Sequence, residues 1–171
     1  MYNGDCMERK SEAVFDTGPL IHLHEIQSIS LVSLIKKPCT TQEVKEETVH
    51  YMNHFPNKIN IIHLKKESRD FATYLMEKFV LGIGETTAIA LAKQEKIALF
   101  FTDDLDARTV ATHFGFKTHG TIGIILRALK NKLLTKKQAE EKIQAIGSSS
   151  LFITKDLIAW TLKEIQDYKE K

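Results

Sequence analysis

The strongest constraint on this chain is a phrase that occurs twice. Ala13-Val14-Phe15 is a short apolar run ending on Asp16 and the breaker sequence Thr17-Gly18-Pro19; Ile97-Ala98-Leu99-Phe100-Phe101 ends on Thr102-Asp103-Asp104. Short apolar runs bounded by turn residues read as strands buried on both faces, the signature of a parallel sheet. After each acid the apolar spacing becomes helical. Pro19 suits an opening helical turn and Leu20, Ile21 and Leu23 supply an apolar side; in the second unit Ala107, Val110, Ala111 and Phe114 do so, and Gly115 closes the helix. In open α/β sheets, ligands bind at such strand ends. A single Asp at this junction also has a plainer use, as the cap of the following helix.

The remaining chain fits the same alternation. Ile29, Leu31, Val32, Leu34 and Ile35 read as a second short helix ended by Lys36-Lys37-Pro38, and residues 39–41 as a brief extended piece. Thr41 is placed to cap a helix through His50, acidic at Glu43, Glu46 and Glu47. The β-branched run 59–64 has the length of a strand, with His63 as a core or edge histidine. Phe71, Leu75 and Phe79 mark a helix over 68–79, and Gly82 and Gly84 introduce a small-residue helix with Glu85 in its first turn. Residues 116–118 form an edge strand, and Gly120-Thr121-Ile122-Gly123 opens a helix to about Asn131. Thr135 and Gln138 fit a capping box, and a last helix from about Thr154 repeats Leu157, Ile158, Leu162 and Ile165, with Trp160 beside that face. Strands alternating with helices imply a three-layer α/β/α fold around a central parallel sheet.

Bulk properties narrow the setting. A chain of 171 residues supports one ordinary domain, expected over 12–171 behind a flexible N-terminus at 1–11. Composition is that of a globular protein, 43% hydrophobic and 27% charged, and no apolar run approaches the ~18 residues that cross a bilayer. The polar first residues lack the apolar core of a signal peptide, so a cytoplasmic location and no membrane partner are expected. Cys6 and Cys39 have neither metal-motif spacing nor disulfide density and read as free thiols. His50 and His54 belong to no metal motif and read as surface or packing residues. A net charge of +2 does not by itself indicate a polyanion partner.

Asp16, Glu85, Asp103 and Asp104 each stand where a strand or breaker leads into a helix. If these junctions share one rim of the sheet, the carboxylates repel one another and raise their own pKa values unless a cation joins them. A hard divalent ion, Mg²⁺ or Mn²⁺, suits oxygen ligands and can orient water for phosphodiester cleavage.

The segments VFDTGPLI, GIGETTAIALA, FFTDDLDARTVA and GTIGIIL resemble, in order and spacing, the PIN-domain ribonucleases, specifically their VapC-like branch. The resemblance runs over nearly everything from 13 to 146. It implies a PIN-like α/β/α fold and metal-dependent endoribonuclease activity with Mg²⁺ or Mn²⁺, leaving 5′-phosphate and 3′-hydroxyl ends. The family's first Asp falls on Asp16, its central Glu on Glu85, and its later Asp on Asp104, with Asp103 as the alternative; these four are the expected catalytic and metal-binding set. Thr17 matches a hydroxyl residue beside the site, and Glu47, rather than Glu43, matches an early glutamate. Where many PIN domains place another Asp, this chain has Thr121 within a Gly-Thr-x-Gly pattern that resembles a subgroup, which favours one strong metal site over two.

For RNA, Arg108 lies one helical turn after Asp104, and Arg127, Lys130, Lys132, Lys136 and Lys137 fall in an acid-free stretch. That stretch is either a track for backbone phosphate or an ordinary solvated helix end. The resemblance further implies a homodimer and, for toxin members, a small antitoxin that blocks the acidic groove. The competing function is a noncatalytic PIN-like RNA- or protein-binding module, favoured by Thr121. A haloacid-dehalogenase-like phosphatase is disfavoured, because Asp-Thr-Gly lacks the second Asp that chemistry requires two residues on.

Overall fold

The computed structural model describes residues 12–169; the expected flexible segment 1–11, with Cys6, and the last two residues lie outside the described residues. Among the described residues five strands form one parallel sheet: β1 (Glu12–Phe15), β2 (Lys37–Thr40), β3 (Asn60–Ile61), β4 (Leu99–Phe101) and β5 (Lys117–His119), in the order β3-β2-β1-β4-β5. The central pair is β1 and β4, aligned Val14 to Phe100 and Phe15 to Phe101. From β1 the chain builds outward through β2 to β3, then crosses back to place β4 on the other side of β1. The two strands carrying the sequence phrase are therefore neighbours at the point where strand order reverses.

Helices cover both faces. One connected set is α1 (Thr17–Glu25), a 3₁₀ helix (Ile29–Leu34) and α6 (Thr121–Lys130), continued by α7 (Lys136–Ile146) and α8 (Lys155–Asp167). The other is α3 (Lys66–Phe79), α4 (Ile83–Gln94) and α5 (Leu105–His113). The helix α2 (Gln42–Val49) packs against both α1 and α4. Of the nine positions of α4 from Gly84 to Ala92 all but Glu85 are buried, so its small residues let it sit close beneath its neighbours. The buried cluster is continuous from Ala13 to Ile165, which ties the last two helices to the sheet domain.

Three local expectations change. The helix expected over 26–35 is a single 3₁₀ stretch, because only six residues separate Ser28 from the extended lead into β2 and they bury Leu31 and Val32 at once. The strand expected over 59–64 shrinks to Asn60–Ile61, since its partner β2 ends at Thr40 and Thr41 already caps α2 through Val44 N. His63 is consequently exposed and neither core nor ladder. On α8, Thr161 and Ile165 are buried while Leu157 and Trp160 remain largely exposed, so the apolar side is only half used.

Cys39 is a buried free thiol; burial, with the charges of Glu95 and Glu12, pushes it up to about 12, so it packs as a neutral group. At the sheet centre the rings of Phe15 and Phe101 stack with centroids 4.7 Å apart, both buried. Deleting a buried aromatic side chain removes its transfer energy and leaves a cavity. Phe101→Ala should therefore lower unfolding free energy by about 3–5 kcal/mol, read from urea denaturation midpoints.

Candidate active site

Asp16 follows the last residue of β1 and is only 3% exposed. Its backbone N–H donates to Phe101 O (2.9 Å), and Thr102 Oγ1 donates to Asp16 Oδ2 (2.8 Å), while Thr17 N donates to Asp16 Oδ1 (2.7 Å). The first strand-end acid is thus held by the second strand. Burial first, and then the nearby charges of Glu85 and Glu47, raise its pKa from 3.8 to about 7 against the lowering effect of its hydrogen bonds. Such an acid resists ionisation unless a positive charge is supplied.

Glu47 comes from α2 and reaches across two helix starts. It accepts from Thr17 Oγ1 at 2.6 Å and from Gly84 N at 3.1 Å. A Cβ on Gly84 would collide with the Glu47 carboxylate, so glycine at this position lets the carboxylate meet the backbone. Glu85 accepts from Gly82 N at 2.6 Å, and this bond opens α4. Its pKa is raised first by desolvation and then by Asp104, Glu47 and Asp106. Glu85 therefore serves the helix end and feels the acid cluster together.

The Asp103-Asp104 doublet divides its work. Asp103 Oδ1 accepts from Thr121 N at 2.7 Å; Oδ2 accepts from Thr121 Oγ1 at 2.5 Å and lies 2.7 Å from His22 Nδ1. It is a tie between β4, α1 and the start of α6. Gly120 allows this, because a Cβ there would strike Asp103 Oδ1. Asp104 caps α5 by accepting from Ala107 N at Oδ1 (2.7 Å), and its side chain is exposed.

These elements enclose a cleft of about 570 Å³. Asp16, Thr17, Glu47, Glu85, Asp103 and Asp104 all line it, together with His22 and Asp106. Thr121 does not; it acts through Asp103. Arg108, Arg127, Lys130 and Lys132 do not line it either. Arg108 turns inward, donating from Nη2 to Thr102 O at 3.1 Å, Arg127 is half-buried, and Lys130 and Lys132 are exposed near the end of α6. Sequence reasoning missed Thr102 and His22. Thr102 had a signal, a hydroxyl between a buried strand and an acid pair, whereas His22 had none.

Compared with known families, residues 12–167 match the family DUF3368, described as PIN domain. The chain belongs to this PIN-domain family. A comparison with curated proteins finds no match. PIN domains are generally nucleases and generally use divalent metals.

Whether this PIN domain suits such an ion is a question for its donor set. Among the described residues no three His, Cys, Asp or Glu side chains are gathered into a ready metal cage. Instead a buried acid with its pKa pushed up to about 7 faces further carboxylates across an open cleft. That arrangement fits a hydrated divalent ion, which keeps several waters and needs only one or two direct carboxylates.

The raised Asp16 pKa has a stability consequence. Between about 4 and about 7 the folded protein without divalent ion binds a proton at Asp16 that the unfolded chain has released. Asp16 thus costs no stability below its unfolded pKa, and an increasing amount as pH rises through about 7. In EDTA, Asp16→Asn should melt higher relative to wild type at pH 8 than at pH 5, measured as the difference in Tm.

Proposed function

We propose that this PIN domain is a metal-dependent endoribonuclease that hydrolyses RNA phosphodiester bonds with Mg²⁺ or Mn²⁺. One observation carries the reading: carboxylates from the ends of β1 and β4 and from the starts or faces of α2 and α4 meet in one cleft. Asp16, Asp104 and Glu85 would hold the ion, Asp16 as the fixed member and the other two as adjustable ones. When bound, the ion supplies the positive charge that the acids lack and lowers the pKa of a coordinated water.

The protein groups have separable tasks. Thr102 and Thr17 N orient Asp16, leaving little freedom at the cleft floor. Glu47, fixed by Thr17 and Gly84 N, adds negative charge beside it. Asp103 is a positioning residue, because both of its oxygens are engaged by Thr121 and His22. Hydrolysis adds water across the bond to the 3′ oxygen, leaving a 3′-hydroxyl and a 5′-phosphate. In the toxin version of this reading, an antitoxin would act by covering the same cleft.

A binding module without turnover is the second reading, favoured by Thr121. The hydroxyl there ties up Asp103 where another free acid would strengthen cation binding. Activity separates the two. Mn²⁺ should support cleavage of a single-stranded RNA, EDTA should abolish it, and Asp16→Asn and Asp104→Asn should each reduce it to background in folded protein. Full activity in both variants removes these acids from the reaction. Gly84→Ala displaces Glu47 and should cost about 10–100-fold in rate while far-ultraviolet circular dichroism is retained.

A further inference from the structure

Phe152 is 93% exposed and lines the acidic cleft. It lies between α7 and α8 in a segment that is otherwise anchored. Ser150 N and Oγ both donate to Glu25 Oε2 at 3.0 Å, Leu151 N donates to Ser149 Oγ at 3.2 Å, and Thr154 caps α8 through Leu157 N. Leu151 and Ile153 are half-buried against the core. Phe152, between them, projects outward as residues alternate in extended chain. Leu105, the first residue of α5 and next to Asp104, also lines the cleft and is 72% exposed.

The cleft therefore combines an acidic floor with exposed apolar side chains, and among the described residues no lysine or arginine lines it. Such a floor repels backbone phosphate wherever a cation does not bridge the two. Nucleotides beyond the cleaved bond need a different hold. Aromatic rings offer one, since every base presents a π-face and stacks on an exposed ring without regard to sequence. A base is free to do this only when unpaired, because in a duplex its faces are covered by neighbours.

We propose that Phe152, with Leu105 beside the acids, is a base-stacking platform that holds a nucleotide next to the cleaved bond. The inference rests on the nuclease reading and adds to it a substrate-positioning residue. Because a stacked base contributes to ground state and transition state alike, the loss on truncation falls on KM rather than kcat.

The test uses the full chain with a short single-stranded RNA carrying 2-aminopurine, and its perfect duplex. Phe152→Ala should raise KM on the single strand about 5–150-fold with kcat nearly unchanged; Phe152→Trp should restore it and Phe152→Leu should not. The duplex should be a poor substrate, indifferent to these changes. Binding is read separately as quenching of 2-aminopurine fluorescence in the Asp16→Asn background, where Phe152→Ala should abolish the quench. Cleavage that is insensitive to Phe152→Ala, or equally fast on duplex, overturns the platform and leaves the nuclease standing. Phe152-dependent quenching without cleavage overturns the nuclease and keeps the platform; neither cleavage nor quenching overturns both.

Discussion

The structure depends on keeping the Asp16 carboxyl out of water at the place where the sheet reverses its strand order. The carboxyl is held from both neighbours: its own backbone N–H joins β4 at Phe101 O, and its side chain takes the Thr102 hydroxyl. These bonds do for β1 and β4 at their ends what the ladder does along their length. They also fix one oxygen-bearing group at the crevice that forms when successive connections leave a sheet in opposite directions. Burial makes that group reluctant to ionise, and the charges of Glu85 and Glu47 increase the reluctance. Fold and reactivity are thus set by the same few atoms.

Around that fixed point the acids are graded in freedom. Asp103 is locked by three contacts and works as a joint between β4, α1 and α6. Glu47 is held by Thr17 and by the backbone of α4. Asp104 spends one oxygen on a helix cap and is exposed, and Glu85 bonds the amide that opens its helix. Rigid acids at the floor and looser ones at the mouth suit a site that must accept a hydrated ion and a substrate together. A closed cage would bind metal more tightly and leave less room for substrate.

Much of this was readable in the chain. The two apolar runs ending on acids determined the parallel sheet, because strands buried on both faces must be apolar without alternation. Thr41, Thr135 and Thr154 were readable as caps, since a hydroxyl one residue before a helical pattern has few other uses. The strand over 59–64 was overread because strand length belongs to the pair and not to the segment; β2 ran out first. Arg108 was legible as a cation near an acid, but its direction, toward Thr102 O and away from the cleft, was set by the packing of α5 beside the sheet.

The order of residues along the chain is enough to say which of them end strands and begin helices, and so which acids stand at junctions. That information is local, carried by apolar spacing, glycine, proline and capping side chains. Packing in three dimensions made β1 and β4 neighbours, brought Glu47 to Gly84, and spent Asp103 rather than Asp104 on Thr121 and His22. Adjacent aspartates on an extended chain look alike in one dimension. In the fold they point to opposite partners, because successive side chains leave an extended backbone in opposite directions.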